Sequence, residues 1–382
     1  MAEHDILVVG GGPVGAALAL ALDGSGLTVG LLEARERQVA SADPRPVALS
    51  YQSRLILERL GVWDALRPAT PIEHIHVSQK GGFGRAALDA RPAGLPALGY
   101  VVDYGSLAES ISGALEASRA CRLIRAKASA VEGAADTATV RFEGQGGEEK
   151  ASARLIVVAD GGVLKAAPAR TRDYYQSVVT TRISSEVPHR NTAFERFTSE
   201  GPLALLPLGE QYALVWTTAP GRAQALCEAS EAEFLEQLQA AFGSRLGRLR
   251  GAGARTRYPL VLKFSGRPTS PRVVLIGNAS QTLHPVAGQG LNIGLRDAWE
   301  LATTIRNSEK AAIGSAAQVQ SYHAARRLDR AGGVGFTDAL VRLFSNDFPP
   351  LRLARGFGLL ALGAFPPARD FLVRRMTFGT RG

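Results

Sequence analysis

Three glycines at fixed offsets, Gly10-x-Gly12-x-x-Gly15, follow the apolar run Ile6-Leu7-Val8-Val9 and open an Ala/Leu-rich stretch. Glycines spaced in this way let a strand turn sharply into a helix, let a ligand approach the backbone, and let helix and strand pack closely. The first N–H groups of such a helix lack intrahelical partners and sit at the positive end of its dipole, so they suit a pyrophosphate. Pro13 stands where a helix needs no donor. Glu33 lies 23 residues after Gly10, at the end of a second apolar run, Leu27 to Leu32, where it can accept hydrogen bonds from a ribose. Strand, helix, strand and acid in register predict a dinucleotide site and leave open which dinucleotide.

A second segment offers a similar surface. The apolar strand Arg272 to Ile276 runs into Gly277-Asn278, and from Gly290 a long helix begins, ending near Arg306. Such a helix start aims N–H groups and a positive dipole end at one spot, where negative charge is stabilised. Glycines required only for helix packing are the alternative. Between these segments, Leu155 to Ala159 reads as a buried parallel strand ending on Asp160-Gly161. His284 and Pro285 precede the long helix; His284 serves either as a proton acceptor or as a local hydrogen-bond partner. His74-x-His76 places two rings on one face of a strand, but no third ligand lies near in sequence and no metal is expected. Cys121 and Cys227 lack C-x-x-C spacing, which argues against a disulfide scaffold or redox dithiol and for a reducing cytoplasm. No Ser-His-Asp set is in view.

The elements that position these residues divide in two. The chain of 382 residues has room for two to three domains. Its first part alternates strand and helix, with helices expected at Gln52 to Leu60 and Ser106 to Ser118. From about 180 to 260 the pattern becomes antiparallel, with strands at Thr180 to Ile183, Thr192 to Thr198, Leu203 to Leu206 and Tyr212 to Thr217. Phe194-Glu195-Arg196-Phe197 alternates as either a pocket wall or sheet core would. Ser230, with Glu233 three residues on, caps a helix to Phe242, and further helices are expected at Ala316 to Arg330 and Val334 to Phe344. The net charge of +9 comes from scattered arginines without a basic, aromatic-interleaved stripe, so no nucleic-acid partner is expected. Glu3, Asp5 and the glycine turn distinguish the N-terminus from an export signal, and no run reaches the ~18 apolar residues that span a bilayer.

In this order, GGGPVG with Glu33, Ala159-Asp160-Gly161, and GNASQTLHPVAGQGLNIGLRD resemble the single-component FAD-dependent aromatic hydroxylases, and within them the ubiquinone-biosynthesis hydroxylases. PVALSYQSRLILERLGVWDAL, IHVSQKGGFG, AFERFTSEGPLALLPL and TDALVRLFSND extend the likeness over nearly the full length. The resemblance implies an α/β fold: a Rossmann-like FAD-binding domain over 1–75, 99–179 and 255–330, an interleaved antiparallel-sheet substrate domain over 76–98 and 180–254, and a C-terminal helical region over 331–382. It implies that Gly10, Gly12, Pro13, Gly15 and Glu33 hold the AMP side of FAD and that Arg45 lies beside the flavin. Asp160, Gly277 and Asn278 would hold the pyrophosphate and ribityl region, and Pro285, Gly288, Gly290, Leu291 and Asn292 the ring, with His284 and Pro285 nearest the chemistry. The chain departs from the family at Asn278, where most relatives carry Asp, at Gly162-Val163-Leu164-Lys165, and at Tyr104-Gly105.

The implied reaction is hydroxylation of a polyprenylated phenol. NAD(P)H reduces FAD, the flavin captures dioxygen as a C4a-hydroperoxide, and the ring attacks the distal oxygen. A soluble phenol or polyketide as substrate, or a flavin-binding subunit that assembles a biosynthetic complex, are the competing readings. The tail from Phe348 to Arg375 mixes leucine and phenylalanine with arginine, which suits the inner face of a membrane, partner subunits of such a complex, or the protein's own core.

Overall fold

The strand His4–Val9 is buried along all six residues, because its two faces meet two different cores. Ile6 and Val8 pack with the helical side, including Leu18 and Leu295, while Leu7 and Val9 pack with Val140 and Phe142. It pairs in parallel with Val29–Leu32 and with the end of Gly147–Val158. Arg122–Ile124 and Val273–Leu275 extend the parallel array on its two sides. Lys127–Gly133 and Ala138–Gly144 add to the first half of Gly147–Val158 as an antiparallel meander, giving a seven-stranded sheet. This computed structural model describes residues 2–35, 43, 45–118, 121–144, 147–266, 270–282, 288–344 and 348–379.

The glycine-rich turn leads into the helix Pro13–Ala21, whose small buried residues allow close packing against Gln289–Arg306 and Tyr104–Ala117. A Cβ at Gly15 would stand 1.9 Å from the Gly10 carbonyl oxygen, so only glycine lets helix and strand meet there.

A nine-stranded sheet forms the second layer. From one edge it runs Gln281–Thr282, Thr256–Ser265, Ala169–Ser185, Gln211–Thr218, Gly201–Leu208, Thr192–Thr198, His74–Gln79 and Arg85–Asp89, with Leu249–Ala252 beside Ala169–Ser185. One face is covered by the helices Pro220–Glu228 and Glu231–Phe242 through Trp216, Phe234 and Leu238. Ser230 and Glu233 form the reciprocal cap expected of that second helix. A three-stranded sheet, Pro46–Ser50, Gly99–Asp103 and Thr70–Ile72, joins the two layers.

One helix, Ala316–Phe344, replaces the two expected at Ala316 to Arg330 and Val334 to Phe344. Gly332 and Gly333 are spacers rather than a break: added Cβ atoms would strike the Arg375 guanidinium at 1.9 Å and the Ile293 side chain at 2.4 Å. Two further helices, Pro349–Ala364 and Pro366–Phe378, each begin with proline in the first turn.

The long helix is held by a buried ionic cluster. Asp297, with no exposure, accepts from the Nε atoms of Arg326 at 2.7 Å and Arg330 at 3.1 Å. Its other oxygen lies 3.3 Å from the Gly277 amide, which donates to it. Arg296 and Asp329 pair alongside at 2.8 Å. Removing one partner of a buried pair leaves an uncompensated charge at a cost of about 3–5 kcal/mol. Asp297→Asn is therefore expected to lower unfolding stability by about that amount in urea titrations. A loss below about 1 kcal/mol would show the cluster to be peripheral.

Candidate active site

Between the parallel sheet and the nine-stranded sheet lies a cavity of about 1160 Å³, and residues from distant parts of the chain meet on its wall. At one end are Gly12 and Pro13, the start of the first helix. Gly10 and Gly15 lie behind it. Gly10 has φ +104°, and a Cβ there would come within 2.6 Å of the Ala159 carbonyl oxygen. Glu33 also stands behind the turn, its Oε2 accepting from the Gly11 amide at 2.5 Å and its Oε1 from the Arg35 amide at 2.7 Å.

Arg45 lines the cavity with its guanidinium 5.1 Å from the ring centres of both Tyr104 and Tyr258, and it pairs with Asp43 at 2.6 Å. Two aromatic faces and a carboxylate thus fix a cation that would otherwise swing freely. Tyr104, a departure from the family pattern, has this use, which its sequence position did not reveal. Asp160 lines the wall too, and its carboxylate accepts from the Gly162 and Leu164 amides at 2.8 and 2.5 Å, shaping its own loop. Asn278 presents an exposed side chain to the same space, one residue after the buried Gly277.

Gly288, Gly290 and Leu291 close this end. Asn292 faces the protein instead. Its Oδ1 accepts from the Ser50 amide at 2.8 Å and the Ser53 hydroxyl at 2.7 Å, and its Nδ2 donates to the Ala48 and Gly288 carbonyls at 2.9 and 2.7 Å. Two of these four bonds latch the start of the helix Gln289–Arg306 to the strand Pro46–Ser50, one reaches Ser53 in the helix that follows that strand, and one closes on the cap residue Gly288. His284 and Pro285 lie outside the described residues.

The far end is apolar. Ile72, Val77, Leu88, Phe197 and Leu206 form its floor, and Leu340, Phe344, Leu359 and Leu362 from the C-terminal helices form its roof. Phe197 stacks on Phe344 with ring centres 3.9 Å apart, so floor and roof touch. Glu195 opens into this end, and burial pushes its carboxyl up to about 7. His74 and His76 take no part: His74 bonds Asp89 at 2.6 Å, and the His76 ring packs 5.8 Å from Phe194. Burial, then Arg245 and Arg85, lower the His76 imidazole to about 4.

The chain matches the family described as FAD binding domain over residues 3–333. It is 33% identical to the ubiquinone hydroxylase UbiL of Rhodospirillum rubrum, over 97% of this chain and 88% of that one. It is 32% identical to the 3-demethoxyubiquinol 3-hydroxylase of Escherichia coli, over 94% of each. Its fold matches the crystal structure of p-nitrophenol 4-monooxygenase PnpA from Pseudomonas putida DLL-E4 with a TM-score of 0.76 at 20% identity, covering 98% of both chains. The chain belongs to the family of FAD-dependent aromatic hydroxylases that includes these ubiquinone hydroxylases, and it is an FAD-dependent monooxygenase with NAD(P)H as reductant.

Proposed function

We propose that this enzyme hydroxylates a polyprenylated phenol in ubiquinone biosynthesis, with dioxygen and NAD(P)H. The observation that carries this reading is the continuity of the cavity. Its polar end sits among glycine turns and helix starts, its other end among aliphatic and aromatic side chains, and its volume of about 1160 Å³ exceeds the ~300–1,000 Å³ of a typical ligand pocket. That suits a large cofactor together with an apolar substrate.

Two glycines fit a bound flavin nucleotide better than any need of the protein. A Cβ at Gly12 would meet only the tip of Arg35 at 3.3 Å and the Tyr104 hydroxyl at 4.0 Å, and one at Gly290 would meet nothing within 4 Å. Neither has a left-handed φ. In this reading Gly10, Gly12, Pro13, Gly15 and Glu33 form the AMP side, Arg45, Asp160, Gly277 and Asn278 the middle, and Gly288, Gly290 and Leu291 the ring side. His284 and Pro285 belong to the ring side, and Asn292 braces it. Bound FAD supplies the electrons and the activated oxygen that a closed-shell phenol does not draw from dioxygen unaided. The start of the helix Gln289–Arg306 favours negative charge beside the ring. The apolar walls hold the phenol and keep water out.

The C-terminal helix Pro349–Ala364 adds a membrane contact to this reading. Its inner side, with Leu359 and Leu362, lines the cavity. Its outer side carries Leu353, Phe357 and Leu360, which are 56%, 64% and 45% exposed at i, i+4 and i+7. A helix apolar on two sides needs a second apolar neighbour. Exposed Phe365 and Phe371, with Arg352 and Arg374 among them, fit an anionic bilayer surface.

Three outcomes are expected. Gly290→Ala should fold at least as stably as wild type, since Ala gains roughly 0.5–1 kcal/mol in a helix, yet bind FAD at least about tenfold more weakly by fluorescence titration. Undiminished FAD affinity would take that loop off the flavin. Next, kcat/KM should rise about tenfold for each isoprene unit added to the phenol, each buried CH₂ contributing ~0.8 kcal/mol before losses. Equal values with and without the chain would point to a soluble phenol instead. Lastly, the holoenzyme should float with phosphatidylglycerol vesicles, while Phe357→Glu/Leu360→Glu stays below with its FAD retained. Failure of the wild type to float would reassign this face to a partner subunit.

A further inference from the structure

Glu195 is a carboxylate in the apolar half of the cavity, where the buried Arg355 of the roof lies 5.7 Å from the Phe344 ring. It lies on the strand Thr192–Thr198, on the same side as Ala193 and Phe197, and all three line the cavity. Its cross-strand neighbours are Ala204 on one side and Val77 on the other, both cavity-lining as well. Among the described residues no cation or hydrogen-bond donor reaches its carboxylate; the neighbouring Arg196 points away, to the Ala241 carbonyl at 3.1 Å.

An enclosed carboxyl without a partner is costly, and native proteins keep such groups rarely. The cost of enclosure falls when a donor is brought in from outside. The cavity opens to ligand, and the donor that a phenol carries is its hydroxyl. We propose that Glu195 is the acceptor that receives the phenolic O–H of the substrate and so sets which part of the ring faces the flavin end. The same hydrogen bond pushes electron density into the ring, which favours its attack on an electrophilic oxygen. This rests on the hydroxylase reading above and names the residue that would recognise the substrate's hydroxyl.

The test separates the two. 2-Prenylphenol and its methyl ether, 2-prenylanisole, are titrated into the oxidised holoenzyme without reductant, and the flavin absorbance change gives each Kd. At pH 8.5, above the raised value of about 7 for the Glu195 carboxyl, a hydrogen bond to a charged acceptor is expected to favour the phenol about tenfold to a hundredfold in the wild type. Glu195→Leu should bring the two ligands within about threefold of each other, and the isosteric Glu195→Gln, a neutral acceptor, should retain part of the preference. FAD content and thermal unfolding of both variants check that the fold is kept.

Equal binding of both ligands by the wild type, or a phenol preference that survives in both variants, overturns the proposal. Turnover is scored separately. A Glu195-dependent preference without hydroxylation of any prenylated phenol would leave the acceptor role standing and remove the hydroxylase reading. Hydroxylation that proceeds with a Glu195-independent preference would do the reverse.

Discussion

Three parts of the chain are tied together at the carboxylate of Asp297, a charge wholly withdrawn from water. It sits on the helix Gln289–Arg306, receives the amide of Gly277 from the turn after the last parallel strand, and is gripped by Arg326 and Arg330 from the long helix. Arg330 also reaches the Leu275 carbonyl at the end of that strand, at 3.3 Å. Replacing such a cluster with apolar residues of like volume is often neutral for stability, so its net energy is not what distinguishes it. It specifies a register: it sets the turn at Gly277, the helix that begins beside Gly288 and the long helix at one relative height. That long helix continues to Phe336, Leu340 and Phe344 on the roof of the cavity. The cluster therefore couples the glycine-rich end of the site to its apolar end through one rigid element.

The two ends obey different physics. At the glycine-rich end, helix starts and tight turns at Gly12, Pro13, Gly288 and Gly290 stand beside the side chains of Arg45, Asp160 and Asn278, and the directions of their backbone groups follow from the turns rather than from rotamers. Side chains there brace the backbone: Asn292 by four hydrogen bonds, Asp160 by two, and Glu33 through Gly11 and Arg35. At the other end the wall consists of side chains from a sheet and from helices that close over it. Removal of apolar area from water acts there without direction. A ligand that spans both ends is oriented by the first and retained by the second.

What was legible in the sequence was what is local. The Gly10 to Glu33 unit declares itself because turn, helix start and acid occur within a short stretch, each with a type-specific steric reason. The Ser230 cap with Glu233 is local in the same sense. The start of the helix Gln289–Arg306 could be read to within a residue from its glycines, but the reason for Asn292 could not, since its partners Ala48 and Ser50 lie more than 240 residues away. Arg45 was found by resemblance, whereas the aromatic pair that holds it, Tyr104 and Tyr258, comes from two other regions and left no motif. Gly332-Gly333, between the two helices expected, fall inside one helix for a related reason. Their effect on helix propensity is local, but the close approach of Ile293 and Arg375 that requires them is not. The tail read as amphipathic, and only the fold shows that its apolar residues form two stripes, one roofing the cavity and one facing outward.

This division of labour bears on specificity. Apolar walls discriminate weakly, since one methylene more or less changes recognition by roughly 10–200-fold, and a shorter ligand still fits. A polar group in such a wall discriminates far more sharply, because a ligand that fails to match it leaves a buried group unpaired. The floor around Glu195 is built in that manner, with apolar neighbours on both adjacent strands and a single carboxylate among them. Burial pushes that carboxyl up to about 7, and in the acceptor role proposed for it an entering hydroxyl would offset part of that cost. On the proposed reading, affinity for a long hydrocarbon and choice of its head group would rest on separate residues. Lengthening or shortening the roof helices would alter the first with little effect on the second.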